Sequence, residues 1–191
     1  MTLLAITKHK ENVYLVLCVI SLLCWGLQTP LLQEWAVWDN RAITQGDWWR
    51  ILSGNFTHTN YPHLVMNLAA LWILAHLFQP SSLQLVYVIL VSSFVIGCSL
   101  LFTSTFQYAG FSGVLHAIFA YFALREALSG RHTSWLLCLG VVIKVAWEHY
   151  FGAAESTMVM INARVAIEAH LTGMVSGFLL IGVELLFKKE Q

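Results

Sequence analysis

Three short stretches carry side chains whose types and spacing could do chemistry. Gly110-Phe111-Ser112-Gly113 offers a hydroxyl between small residues. A serine at this position reads first as a helix N-cap, but the flanking glycines clear bulk from the hydroxyl and admit a substrate backbone. Ala169-His170-Leu171-Thr172-Gly173 offers an imidazole, either a hydrogen-bonding partner for a neighbouring helix or a general base. His58-Thr59-Asn60-Tyr61-Pro62-His63-Leu64-Val65-Met66-Asn67 offers donors. His63 and Asn67 are four apart, so they share one helix face. Both can donate toward a carbonyl oxygen that turns negative. His58, His63 and Asn67 also admit a zinc reading, but no carboxylate or cysteine completes a ligand set.

The elements that must position these groups are apolar. Of 191 residues, 58% are hydrophobic and only 10% charged, with a positive mean hydropathy; a soluble domain carries about 25% charged residues. The surface therefore faces lipid. A zero formal net charge gives no support to nucleic-acid binding, which calls for a basic patch. Cys18, Cys24, Cys98 and Cys138 fall in apolar stretches and make neither a zinc spacing nor a disulfide framework. The run from Val13 to Leu27 lacks a small-residue cleavage pattern at its exit and reads as a retained membrane helix.

A spanning helix needs about 20 mostly apolar residues. Six stretches qualify: 12–28, 62–79, 83–103, 111–128, 133–150 and 163–187. The expectation is an all-α, six-span membrane bundle forming a single domain over residues 1–191. Basic residues near span ends set orientation. Lys8, Lys10, Arg125, Arg131, Lys188 and Lys189 fall on one side, Arg41, Arg50 and Arg164 on the other. The first side is then cytoplasmic, with both termini inside and the tryptophan-rich loop 29–61 outside. Ionisable groups inside spans are costly and mark function. Gly173 and Gly177 line one helix face and permit close helix contact; Gly113 and Ala117 offer the matching pair. Counted at 1.5 Å per residue, Ser112 lies about 10 Å inside the outer boundary. His170, counted from Ala163, lies at a similar depth.

In order and spacing, His58-x4-His63-x3-Asn67, Gly110-x-Ser112-Gly113 and Ala169-His170-x2-Gly173-x3-Gly177 resemble the rhomboid intramembrane serine proteases; Trp49-Arg50 looks like that family's Trp-Arg pair. The resemblance covers about 46–187. It implies that Ser112 and His170 form a catalytic dyad, with His63, Asn67 and the Ser112 N–H as oxyanion hole. It implies structural roles for His58, Trp49 and Arg50, and no metal or cofactor. Ser112 would attack the scissile carbonyl while His170 takes its proton. No third acid is evident: Glu168, two residues before His170, points elsewhere on its helix.

One position departs from the family pattern. Many rhomboids carry an aromatic residue four after the serine, stacked on the histidine; here it is His116, read as a packing group with a second base as the other reading. Ser112-Gly113-Val114-Leu115-His116, together with Lys144, Trp147 and Glu148 in the fifth span, is similar to the rhombosortase branch of bacterial inner-membrane enzymes. The short chain, without a soluble extension or seventh helix, points the same way. The implied substrates are membrane-anchored proteins with a C-terminal Gly-Gly-containing tail, met in the bilayer on the periplasmic side. Lys144 and Glu148, four apart, read either as a self-neutralised pair or, with Trp147, as substrate-facing. The alternatives are an inactive rhomboid-like protein that binds membrane helices, and a small transporter using His63, His116 and His170 as a proton relay. Oligomeric state is left open by the sequence.

Overall fold

The apolar stretches become helices because each backbone must satisfy its own hydrogen bonds in lipid. The computed structural model describes the backbone of residues 3–188 and the side chains of 13–186, and it is mostly helical. Six long helices overlap the six apolar stretches: α1 (Leu3–Gly26), α5 (Tyr61–Phe78), α6 (Ser82–Leu100), α7 (Ser112–Leu128), α8 (Ser134–Phe151) and α10 (Ile167–Lys188). Among the described residues, α5, α6 and α10 are each long and apolar enough to cross a membrane. Two bent helix pairs raise that number to five if each pair is one span: α1 with α2 (Pro30–Ala36), and α8 with α9 (Glu155–Ile161). The side chains of Lys8, Lys10 and Lys188, and Lys189, which enter the orientation reading, lie outside the described residues.

Local chemistry sets the helix starts. The Asn60 side chain accepts the His63 N–H at 2.8 Å, and Pro62 sits in the first turn of α5, where its missing N–H costs nothing. Ser81 and Gln84 form a reciprocal capping box at α6. The last helix starts at Ile167 rather than near Ala163. Residues 155–161 form α9 instead, ended by Asn162 in the left-handed region at φ 51°. The sequence-based depth count from Ala163 therefore does not apply, and His170 lies in the first turn of α10.

α7 is the central helix, buried along most of its length from Gly113 to Ala127. Its tightest neighbour is α10. A Cβ on Gly173 would run into the Gly113 carbonyl, and one on Gly177 into the Ala117 carbonyl. The two small-residue faces read from the sequence thus meet, and backbone lies on backbone. Ser99 of α6 donates to Thr172 Oγ1 of α10 at 3.0 Å, a polar tie across the same layer. Away from this core the helices present bare apolar side chains, among them Leu22, Ile73, Leu83, Leu136 and Leu179. Such a belt is the surface of a multi-pass integral membrane protein.

The long loop after α1 is ordered. It contains α2, α3 (Asn40–Thr44) and α4 (Arg50–Ser53). Its strand β1 (Trp38–Asp39) pairs antiparallel with β2 (Gln107–Tyr108), which leads into Ser112. Trp38 is fully buried and donates its indole N–H to the Gly97 carbonyl at 2.9 Å. The Asp39 carboxylate caps α3 by accepting the Ala42 N–H at 2.9 Å. That backbone bond, with one from the Gln107 side chain, holds its pKa below the usual carboxylate range.

Candidate active site

Ser112 is the first residue of α7, and the cap position belongs to Phe111. Its hydroxyl is not spent on the helix end: it lies 2.9 Å from His170 Nε2, within hydrogen-bond range. The N-cap reading is thereby excluded. The segment delivering the serine is anchored twice, by the Gly110 N–H to the Gly54 carbonyl at 3.3 Å and by the Tyr108 hydroxyl to the Gly110 carbonyl. Gly110 has φ +144°, a conformation that L side chains rarely adopt. Burial pushes the Tyr108 phenol up, so it remains a donor.

The far side of His170 overturns the reading that no third acid is present. Glu148, from α8, accepts from His170 Nδ1 at 2.8 Å. The same carboxylate oxygen accepts from Lys144 Nζ at 2.9 Å. Glu168 is occupied by Arg164 at 3.0 Å. Lys144 and Glu148 thus form an ion pair, and both line the cavity that Ser112 borders.

His116 stacks on His170 with ring centroids 4.2 Å apart and planes 20° apart, which is the packing geometry expected of this position. Its Nδ1 bonds the Ser112 carbonyl at 2.7 Å, and its Nε2 meets Lys144 Nζ at 2.7 Å. His116, Glu148 and His170 also have ligand-type atoms within 4.8 Å of one another, a grouping that could hold a metal ion. The Lys144 ammonium lies among them and supplies the positive charge there.

His63 and Asn67 each line a cavity that Ser112 also lines. The point where a side chain on Gly110 would begin lies 3.1 Å from His63 Nε2 and 3.9 Å from Ser112 Oγ. Glycine thus keeps open the space between imidazole and hydroxyl. Asn67 is buried and its side-chain N–H2 is unengaged by protein. His63 Nδ1 lies 3.5 Å from the Thr59 N–H and 3.0 Å from the Thr59 hydroxyl. That hydroxyl also reaches the Ile161 carbonyl at 2.6 Å, tying α9 over the site. The contact of Thr59 with Ile161 lies about a hundred residues away along the chain, so the sequence did not signal it.

The supporting residues act largely through main chain. The His58 ring packs edge-on against His63 at 5.0 Å, while its carbonyl accepts from Gln28 at 3.0 Å and from Gln33. Arg50 Nη1 donates to the Glu34 and Val37 carbonyls at 2.9 and 2.8 Å, and Nε pairs with Asp47 at 2.9 Å. Trp49 stacks on Trp35 at 5.0 Å and donates to its carbonyl at 3.1 Å.

A cavity of about 530 Å³ runs from Ser112 and His170 between α5 and α8, with Leu74, Leu115, Phe119 and Val141 as apolar walls. Beyond Ser112 and His170, its polar lining is Asn67, His116, Lys144, Glu148 and Thr157. Trp147 lines an adjoining groove with Phe151, one that Lys144 and Glu148 also border; the Phe151 ring lies 4.1 Å away. No curated protein matches the chain in sequence. The family model of the Rhomboid domain matches residues 45–186, which contain His63, Asn67, Ser112, His116, Lys144, Glu148 and His170. The chain belongs to the rhomboid family, whose members are generally intramembrane serine proteases.

Proposed function

We propose that the protein is an intramembrane serine endopeptidase that cuts a peptide bond in or beside a substrate's transmembrane segment, with Ser112 as nucleophile and His170 as base. The observation that carries this reading is the 2.9 Å bond from the Ser112 hydroxyl to His170 Nε2 at the head of an apolar cavity. Ser112 Oγ attacks the scissile carbonyl carbon, and its proton passes to His170 Nε2. The carbonyl oxygen becomes an oxyanion, stabilised by donors from His63, Asn67 and the Ser112 N–H. His63 then carries its proton on Nε2, with Nδ1 accepting from the Thr59 amide. Collapse breaks the C–N bond, and His170 gives the proton to the leaving amine. Water then hydrolyses the acyl-enzyme. No metal or cofactor takes part.

The reading extends to residues 1–191 as one rhomboid domain of six spans with both termini cytoplasmic. The basic residues Arg125 and Arg131 near one set of helix ends support that orientation. The active site then opens toward the periplasmic side of a bacterial inner membrane. The substrates are membrane-anchored proteins of the Gly-Gly tail type, processed as by rhombosortases. His116 with Lys144 and Glu148 supports that branch. The test is cleavage, in proteoliposomes, of a single-span reporter with a Gly-Gly segment at its outer end and basic residues after the span. The wild type should release the outer fragment and Ser112→Ala should not. An intact reporter with well-folded wild type would return the protein to a helix-binding role.

A further inference from the structure

The proton positions around His170 follow from the two ends of its hydrogen-bond circuit. The Ser112 carbonyl can only accept, so the His116 Nδ1 facing it at 2.7 Å carries a hydrogen. In a neutral imidazole the other nitrogen is then bare. His116 Nε2 accepts from Lys144 Nζ at 2.7 Å, and the same ammonium donates to Glu148 Oε2 at 2.9 Å. An ionised carboxylate can only accept, so His170 Nδ1, 2.8 Å from that oxygen, carries a hydrogen. His170 Nε2 is left bare and receives the Ser112 hydroxyl at 2.9 Å. Lys144 Nζ and His170 Nδ1, 3.5 Å apart, are both donors in this scheme and do not bond each other. The circuit closes on the residue where it began, and it leaves His170 in the one neutral tautomer that can accept the serine proton.

We propose that Glu148 is the positioning acid of the Ser112–His170 pair, with Lys144 holding its carboxylate ionised and aimed at His170 Nδ1. The proposal rests on the serine-protease reading above and deepens it from two residues to a relay of four. Its physical basis is the cost of a carboxylate at membrane depth, which is severe unless a partner charge and hydrogen bonds compensate. Lys144, one helical turn away on α8, supplies the charge, and His170 supplies a hydrogen bond. When the base takes a proton the imidazolium forms against the existing negative charge of Glu148, which the Lys144 ammonium balances while His170 is neutral. His116 closes the ring from the other side: its stacked face limits rotation of His170, and its bare nitrogen gives the ammonium a second acceptor.

A substrate-contact role for Glu148 and a positioning role predict different kinetics. The probe is a fluorophosphonate, whose phosphorus forms a bond to Ser112 Oγ as fluoride leaves and His170 takes the serine proton. The saturating rate constant and the half-saturating concentration are measured for purified wild type, Ser112→Ala, Glu148→Gln, Glu148→Asp, Lys144→Met and the double variant Glu148→Gln/Lys144→Met. Thermal unfolding midpoints are taken in the same detergent. Glu148→Gln should lower the rate constant by about 10²-fold or more, with half-saturation within about threefold of wild type. Glu148→Asp should restore at least about tenfold of that loss, because it keeps the charge. Lys144→Met should slow the wild type by about tenfold but add little in the Glu148→Gln background, because Lys144 acts through the carboxylate. A Glu148→Gln protein with the wild-type rate constant overturns the proposal. So does a change confined to half-saturation, or an Asp variant as slow as the Gln variant with an equally lowered midpoint. Labelling that survives in Ser112→Ala sinks the protease reading itself, whereas labelling lost there but intact in Glu148→Gln sinks only this relay.

Discussion

Adding one methyl group to Gly173 should disable the site from outside it. The new carbon would begin 2.8 Å from the Gly113 carbonyl carbon and 3.3 Å from its α-carbon, and nearer still to its oxygen. Ordinary van der Waals contact begins near 3.4 Å. Because the obstacle is backbone, α7 and α10 must part by roughly 0.6 Å or more. Ser112 is the residue before Gly113, and His170 is three residues before Gly173. The parting therefore acts almost directly on their 2.9 Å bond and stretches it to about 3.5 Å or beyond, past hydrogen-bond range. Misplacement of about 1 Å costs on the order of 10²-fold in rate, and overpacking costs about 1–3 kcal/mol of stability. Fluorophosphonate labelling gives the rate. Stability follows from a thiol-reactive dye on heating, since Cys24 and Cys138 are free and buried. Gly182→Ala is the control: on the same helix its methyl meets nothing within 4 Å, so both readouts should stay at wild type. A Gly173→Ala protein that labels at the wild-type rate with an unchanged midpoint refutes the argument that backbone contact between α7 and α10 sets the Ser112–His170 distance.

Three further outcomes follow from the supporting structure. Tyr108→Phe strips the donor from the Gly110 carbonyl, and should cost about 1–3 kcal/mol and slow labelling, both read in the assays above. Arg50→Lys cannot reproduce the guanidinium's simultaneous hold on two carbonyls and Asp47. It should lower the midpoint and open loop 29–61 to limited proteolysis while leaving the Ser112 bond in place. Burial, reinforced by His63, pushes the His58 imidazole from 6.5 down to about 3. Below pH 6.5 the unfolded chain therefore binds a proton that the folded one refuses. His58's contribution is fully present above 6.5 and falls as pH drops toward 3, by about 2 kcal/mol between pH 6.5 and 5. His58→Gln should flatten that part of the pH–stability curve, and an unchanged slope would contradict it.

What the sequence disclosed follows from which features are local. Gly113 with Ala117 and Gly173 with Gly177 announced close approach because a missing side chain has few other uses at four-residue spacing in a membrane helix. Their meeting brings Ser112 to His170. His63 and Asn67 were legible for the same reason, one turn apart on one face. Glu148 was not recognisable as the partner of His170, since the two lie on different helices and no periodicity encodes how α8 is rotated against α10. Glu168, the acid nearest His170 in sequence, points elsewhere on its helix and pairs with Arg164. Trp147, next to Glu148 in sequence, faces a groove that it shares with Lys144, Glu148 and Phe151. The sequence reading starts the last helix at 163, four residues early, because Ala163, Val165 and Ala166 are apolar like the span they precede, whereas the helix itself begins at Ile167. His58 supports the loop through its carbonyl, a contact no side-chain motif could signal.

The central claim is that the Ser112 hydroxyl is an activated nucleophile, and mapping the fluorophosphonate adduct by peptide mass spectrometry tests it most directly. The account predicts a single adduct on Ser112 in the wild type and none in His170→Ala of matching thermal midpoint. An adduct on another residue, or one on Ser112 that forms equally well without His170, would contradict it.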